Sequence, residues 1–360
     1  YGGSIRFEGR ELLTATERVL RGLRGREIAM IFQEPMTALN PLYSIGDQIC
    51  EVLERHQAMT RSQARKRTLE LLEQTRIKEP ERRFAHLPHQ LSGGQRQRAM
   101  IAMALACHPK LVIADEPTTA LDVTIQAQIM SLLADLQKEI GMAILLITHD
   151  LPLVRSFAER VAVMRAGRIV ERGNTADVFE DPVHEYTKRL IEARPQRMVS
   201  EMTDPQDPDD APVLSTRGLR CTFISRSGWF SRNRFEALKG VDLQLGPGRT
   251  LGVVGESGSG KTTLALTILR LVSGETSGEV RVAGQRIDQL TDAQLRPYRR
   301  QFQMVFQDPY NALSPRLSVG RIIGEALELH RPDLGRGERE TLVAQALDDV
   351  GLDLSMTPRC

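Results

Sequence analysis

The sequence predicts an α/β fold built on mainly parallel sheets and present in two copies. Two observations carry that prediction. Short continuous apolar runs alternate with helical patterns, and a long segment of the first half recurs in the second. Continuous apolar runs suit strands buried on both faces, and strand–helix alternation is the pattern of a parallel sheet covered by helices. In the first half, residues 28–32, 111–114 and 143–147 are the expected strands, and 60–74, 92–107 and 123–138 the expected helices. In the second half, 250–254 reads as a strand and 262–271 as the helix behind it.

The repeat is direct. Ile31-Phe-Gln-Glu-Pro-Met-Thr-Ala-Leu-Asn-Pro41 returns as Val305-Phe-Gln-Asp-Pro-Tyr-Asn-Ala-Leu-Ser-Pro315. The match continues through Ser44 and Ser318, Gly46 and Gly320, Glu51 and Glu325, and Leu53 and Leu327. Upstream, Gly3-Ser-Ile-Arg-Phe-Glu-Gly9 echoes Gly278-Glu-Val-Arg-Val-Ala-Gly284. Self-similarity at this spacing means a duplicated domain. Residues 195–212, acidic, proline-rich and free of aromatics, cannot bury a core and read as a linker. The expected division is therefore a first domain over 1–194, the linker, and a second domain over 213–360. Counting along the repeat, each copy is expected to be incomplete. The second counterpart of Leu91 to Gln95 falls past Cys360, and the first counterpart of Gly255 falls before Tyr1.

Bulk properties narrow the function classes. The chain has 360 residues, 41% of them hydrophobic and 26% charged, as in an ordinary water-soluble protein. A formal net charge of +2 gives no reason to expect a nucleic-acid partner. No apolar run reaches the roughly 18 residues needed to span a bilayer, so any membrane association is expected through another protein. Cys50, Cys107, Cys221 and Cys360 form no C-x-x-C pair and suit reduced, buried thiols in a cytosolic protein.

Four stretches carry chemistry. Gly255-Glu256-Ser257-Gly258-Ser259-Gly260-Lys261-Thr262, followed by Thr263, fits the phosphate-binding pattern G-x-x-x-x-G-K-[ST]. Its glycines let backbone amides wrap phosphates, Lys261 neutralises phosphate oxygens, and the Thr262 hydroxyl suits Mg²⁺. Residues 111–114 lead into Asp115 and Glu116 at the carboxyl end of an expected parallel strand, where α/β sheets bind ligands. Asp115 suits a role at Mg²⁺ and Glu116 that of a base polarising the attacking water. His149 closes another strand and is placed to meet a terminal phosphate. Gln33 and Gln307 each follow a strand at the same point of the repeat, in reach of Mg²⁺ or the water. Finally, Leu91-Ser92-Gly93-Gly94-Gln95 precedes an apolar helical run. Taken alone it suits a Ser-capped glycine turn as well as a helix N-terminus that receives phosphate. His56, His86, His89 and His184 lack metal-ligand spacing and read as structural. The basic run 61–67 reads as a solvated helix face, and residues 225–234, with Trp229 and Phe230, as an exposed loop.

Together these stretches, with Ala120-Leu-Asp122, resemble the ABC-transporter ATPase family over essentially the whole chain outside the linker. Asn40-Pro-Leu42, Asn311-Ala-Leu-Ser-Pro315 and Pro182-Val-His184-Glu-Tyr186 are similar to the peptide and nickel importer branch, with Glu185 standing where that branch has proline. The resemblance implies two P-loop ABC-type nucleotide-binding domains, each a mainly parallel sheet with a helical subdomain, that sandwich ATP and Mg²⁺ head to tail. Lys261 and Thr262 would then face Ser92, Gly93, Gly94, Gln95 and Asp122, while Gln33, Asp115, Glu116 and His149 belong to the other site. Phe223 is the expected adenine-stacking ring, with Phe235 as the alternative. Segments 34–59 and 308–330 would touch integral-membrane permease subunits, with a periplasmic solute-binding protein acting indirectly. The chain would then lie on the cytoplasmic side of the inner membrane and power import of peptides or related solutes. The alternative is a soluble tandem ATPase acting on ribosomes or DNA, against which the near-neutral charge and the lack of a long charged linker argue.

Overall fold

Caps and packing convert most of these patterns into elements. The computed structural model describes residues 2–119, 121–193, 211–227, 231–256, 258–306 and 312–358, and the chain divides into two units, 1–201 and 202–360. The first unit opens with β1 (Arg6–Phe7), β2 (Arg10–Glu11), α1 (Glu17–Leu23) and β3 (Ile28–Ile31). A helical series follows: α2 (Pro35–Ala38), α3 (Ile45–Gln57), α4 (Arg61–Gln74), α5 (Pro80–Phe84) and α6 (Gly93–Leu105). Next come β4 (Leu111–Asp115), α7 (Val123–Ile140), β5 (Ala143–Ile147) and α8 (Leu151–Phe157). The antiparallel pair β6 (Arg160–Arg165) and β7 (Arg168–Asn174), then α9 (Thr175–Glu180) and α10 (Glu185–Glu192), complete the unit.

The expected strands form one parallel sheet in the order β3-β4-β5, with Ile28 opposite Leu111 and Leu111 opposite Ala143. Ala29, Ile31, Val112 and Ala114 send their side chains into a core shared with Met100, Ile101 and Leu105 of α6 and Ile129, Leu132 and Leu133 of α7. The opposite face departs from expectation. Met30, Leu145 and Ile147 are 38%, 51% and 45% exposed. An apolar run marks a strand able to be covered on both sides, but α6 and α7 cover only one of them in this unit.

Helix boundaries follow their caps. The Thr60 side chain accepts from the Gln63 amide, and Gln63 answers on the Thr60 amide, so α4 begins at Arg61. Asp122 accepts from the Ile125 amide at 2.9 Å and starts α7, which Gly141 ends in a left-handed conformation. A second core joins Ile45, Ile49 and Leu53 of α3, Leu71 and Leu72 of α4, Phe84 of α5, and Ala99 and Ala102 of α6. The basic run is a solvated face as expected, with Arg61, Arg65 and Lys66 exposed, and it also carries specific contacts. Arg65 lies over the Phe84 ring at 4.3 Å, Arg61 pairs with Asp47 and Glu54, and Arg67 pairs with Glu70.

The second unit has β8 (Leu214–Ser227), β9 (Ser231–Leu245), α11 (Lys261–Ile268), β10 (Glu275–Val282) and β11 (Gln285–Arg286). After these come α12 (Asp292–Leu295), α13 (Val319–His330) and α14 (Arg336–Asp349). Its sheet is antiparallel in the order β11-β10-β8-β9, over a core of Leu219, Cys221, Leu238, Leu264, Val280 and Val282. The expected strand at 250–254 does not form. Those residues are irregular, with Val254 93% exposed, and Val305 is likewise 98% exposed. In the first unit, the run equivalent to Met304–Val305 is a strand because it pairs with β4. Among the described residues of the second unit no parallel strand offers that ladder, and an apolar run without ladder partners stays irregular. The expected linker lies mostly outside the described residues, and Ser257, Gln307, Trp229 and Phe230 lie outside them too. The loop expected over 225–234 is strand at both ends instead, because β8 and β9 continue their ladder through the pairs Ser225 with Asn233 and Ser227 with Ser231.

The repeat persists in the backbone. Arg6 pairs with Glu11 in the first hairpin and Arg281 with Arg286 in the second. Each turn carries two positive φ angles, 48° and 79° at Glu8 and Gly9, 47° and 79° at Ala283 and Gly284, the pair a two-residue hairpin turn demands. Ser44 and Ser318 likewise stand at the N-caps of α3 and α13.

Gly46 gives a test of the helical core. A Cβ there would penetrate the Phe84 ring. Glycine-to-alanine inside a helix ordinarily stabilises by up to about 1 kcal/mol. Here Gly46→Ala is expected to destabilise by about 1–3 kcal/mol through overpacking, read as a lowered midpoint of chemical unfolding. An unchanged or raised midpoint would show that the Phe84 contact is not tight.

Candidate functional site

In the first unit the carboxyl edge of the parallel sheet gathers one side chain from beyond each strand. Gln33 lies two residues past β3, Glu116 directly follows β4, and His149 lies two residues past β5. The Gln33 amide Nε2 donates to Glu116 Oε2 at 2.8 Å, and the Thr119 hydroxyl donates to the same oxygen at 2.8 Å. His149 Nδ1 lies 2.9 Å from Glu116 Oε1, so the tautomer with its proton on Nδ1 donates there. Glu116 itself has φ of +44°, and its amide donates to the Ile147 carbonyl at 2.8 Å. A non-glycine residue in the left-handed region is held there only by its surroundings, and such positions concentrate at functional sites.

These contacts set the electrostatics. The His149 contact first, then the Thr119 hydroxyl, with a smaller contribution from Gln33, hold the Glu116 carboxyl below its ordinary value. Glu116 is therefore an anion whose lone pairs are directed by neighbours. His149 is itself positioned from both sides. The Thr148 hydroxyl accepts from the Asp150 amide, while Asp150 caps α8 through the Leu153 amide and accepts from Gln126 at 2.7 Å. The imidazole remains 75% exposed and so is open to a ligand. Sequence reasoning named Gln33, Glu116 and His149 but missed Thr119. The signal was Pro117-Thr118-Thr119, a turn directly behind the carboxylate pair, which returns a hydroxyl to it.

Asp115 ends β4 half-buried, and its carboxylate has no side-chain hydrogen bond or ion pair among the described residues. No group of three or more His, Cys, Asp or Glu among the described residues makes a protein-only metal cage. That combination fits Mg²⁺, which takes one or two carboxylates and fills its remaining positions with phosphate oxygens and water.

The Leu91-to-Gln95 stretch realises both of its readings locally. Ser92 caps α6 by accepting from the Gln95 amide at 3.3 Å, and Gln95 Oε1 accepts from the Ser92 amide at 3.1 Å. The glycines are needed for packing as well. A Cβ on Gly94 would come within 3.0 Å of Ile125 on α7, and one on Gly93 within 3.5 Å of Leu121. The result is a rigid, partly exposed helix start with its amides and dipole turned outward.

In the second unit, Gly258 and Gly260 have φ of +80° and +97°, and a Cβ on Gly260 would meet the Ala237 carbonyl oxygen at 2.9 Å. Only glycine fits that position. Ser259 donates its amide to the Glu256 carbonyl at 3.2 Å, and Lys261 Nζ donates to the Gly255 and Glu256 carbonyls at 2.7 Å each. The ammonium is thus folded over the loop at the start of α11, with Thr262 exposed beside it and Thr263 behind. A cavity of about 820 Å³ adjoins Lys261 and Thr262, walled by Leu214, Leu243, Leu251 and Ile268. Phe223 and Phe235 face each other across β8 and β9. Phe223 is packed against the core, whereas Phe235 is 64% exposed, so Phe235 presents the freer ring.

Comparison with known proteins adds the family. The model of the ABC transporter family matches residues 1–119 and 238–359. The peptidoglycan transport ATP-binding protein YejF of Agrobacterium fabrum is 52% identical over 355 residues, covering 98% of this chain and 64% of that protein. The uncharacterized ABC transporter ATP-binding protein YejF of Escherichia coli K12 is 46% identical over 353 residues, covering 98% of this chain and 66% of that protein. The glutathione import ATP-binding protein GsiA of Salmonella paratyphi A is 44% identical over 367 residues, covering 95% of this chain and 58% of that protein. The chain thus spans less than two thirds of the length of each of these relatives. With the family model matched over both stretches, the chain belongs to the ABC transporter family.

Proposed function

We propose that this chain binds and hydrolyses ATP to power import of peptides or related solutes through an integral-membrane permease. The observation that carries hydrolysis is the Glu116 carboxylate, gripped by Gln33, Thr119 and His149 at the carboxyl edge of the parallel sheet. Glu116 serves as the base that polarises the attacking water, and His149 orients the terminal phosphate. Lys261 and the loop amides from Gly255 to Gly260 neutralise phosphate charge. Mg²⁺ would be held by Thr262 and Gln307 at one nucleotide site and by Asp115 and Gln33 at the other, and would supply charge neutralisation at the phosphates. The two units act as tandem ATPase modules. In head-to-tail pairing, Ser92, Gly93, Gly94, Gln95 and Asp122 of one module serve the phosphate loop of another. The solute class is read from the relatives, which are named for peptidoglycan transport and glutathione import.

The permease docks on the segments behind the glutamines. Support comes from residues 34–59, where Met36, Leu42 and Tyr43 expose apolar surface (44%, 82% and 58%) on a loop held by Gln48 bonds to Asn40 and Tyr43. The equivalent segment of the second unit starts outside the described residues. Among the described residues no helix is long and apolar enough to cross a membrane, in keeping with attachment through permease subunits. A periplasmic solute-binding protein acts indirectly by delivering solute, and no nucleic-acid partner is required.

Two variants test this. Lys261→Ala is expected to weaken binding of a fluorescent ATP analogue about 30- to 100-fold, the loss of roughly 2–3 kcal/mol of charge-assisted hydrogen bonding; unchanged titration curves would remove Lys261 from the site. Glu116→Gln is expected to keep nucleotide binding while ATP turnover by the transporter assembly falls about 10²- to 10⁴-fold. Wild-type turnover in that variant would overturn the role of Glu116 as base.

A further inference from the structure

The geometry points to Thr119 as a positioning residue for hydrolysis, one that fixes which oxygen of Glu116 meets the attacking water. This rests on the reading of Glu116 as the base. Two donors, Gln33 Nε2 and Thr119 Oγ1, share Oε2, while Oε1 faces His149. The three donors differ in how firmly they are held. The His149 imidazole is 75% exposed, and Gln33 is an exposed side chain on the loop behind β3. Each can rotate toward a ligand.

Thr119 is exposed as well, but it is tied into the same turn as the carboxylate it grips. Its amide donates to the Glu116 carbonyl at 3.2 Å, Pro117 and Thr118 between them are buried, and the Leu121 amide donates to the Thr118 carbonyl at 3.1 Å. A β-branched side chain has one strongly restricted torsion between backbone and hydroxyl, against three for glutamine. Thr119 is accordingly the donor that keeps Oε2 engaged when Gln33 and His149 change partners. With Oε2 engaged, rotation of the carboxylate is arrested and Oε1 stays directed over the sheet edge, where a water in line with the phosphate would lie. The left-handed backbone of Glu116, φ +44°, belongs to the same device, because the turn that carries Thr119 back is also the turn that strains Glu116.

The test uses the assembled transporter. Thr119→Val removes the hydroxyl at constant shape, and Thr119→Ser restores it. The valine variant is expected to lose about tenfold in kcat with KM for ATP unchanged, the scale set by misplacing a reacting group by a fraction of an ångström, and the serine variant to recover most of that loss. Because Thr119 acts through Glu116, the double variant Glu116→Gln with Thr119→Val is expected to be no slower than Glu116→Gln alone. Wild-type kcat in the valine variant, an equal loss in the serine variant, a change confined to KM, or multiplied losses in the double variant would each overturn the proposal. Failure of the underlying reading shows separately, as wild-type turnover by Glu116→Gln on its own. An unchanged unfolding midpoint for the valine variant is also expected, and a loss of kcat that tracks a lowered midpoint would assign Thr119 to folding instead.

Discussion

Helix α6 is the constraint on which the first unit depends, because it is buried on two sides at once. Met100, Ile101 and Leu105 pack on the parallel sheet, while Ala99 and Ala102 close against the helical core of α3, α4 and α5. Small residues on the second side allow close approach of the neighbouring helices, and larger ones on the first fill the space above the strands. Both cores are therefore registered to one rod. Its buried Arg98 fastens the rod further, donating to the Thr75 carbonyl and to Gln128 of α7. The N-terminus of that rod is the Ser92-Gly93-Gly94-Gln95 turn, so the position of the exposed helix start is dictated by packing from below. Gly94 at the Ile125 contact shows how little slack remains.

The same rigidity reaches the sheet edge. A parallel sheet delivers the ends of its strands to one rim, and the rim here receives an amide, a carboxylate and an imidazole from three strands that are far apart in sequence. What sets this rim apart from an ordinary ion pair is the imbalance of the arrangement. One anion receives three donors, its backbone is strained, and its flanking residues are pinned by the Asp122 and Asp150 caps. A neighbouring carboxylate, Asp115, has no side-chain partner among the described residues. In a structural ion-pair network charges settle against one another, whereas here one carboxylate is directed by three donors.

Much of this was legible beforehand for identifiable reasons. The strands of the first unit, their parallel association and the starts of α4, α6 and α7 follow from apolar runs and from Thr60, Ser92 and Asp122, since caps and ladders are local or nearly so. The strand expected at 250–254 was not realised, because apolar character identifies a strand only when a neighbour supplies its hydrogen bonds. Full burial of Leu145 and Ile147 failed for a related reason: sequence reports the capacity to be covered, and coverage depends on which helices are present. The basic run at 61–67 is the solvated face its sequence suggests, but its contacts with the aromatic face of Phe84 and the carboxylates of Asp47 and Glu54 were not legible, because those partners lie far along the chain or on another helix.

The sequence by itself determined the repeated segments, the G-x-x-x-x-G-K-[ST] pattern with its obligatory glycine at 260, and the identities of the carboxylate, imidazole and amide groups, because each is written as a residue type at a fixed spacing. Only the tertiary structure decided that Gln33, Thr119 and His149 close on one carboxylate, that Phe223 turns into a core while Phe235 stays open, and that Gly94 is required by Ile125 as much as by any ligand. Those outcomes depend on distances between side chains from separate elements, and packing alone sets them.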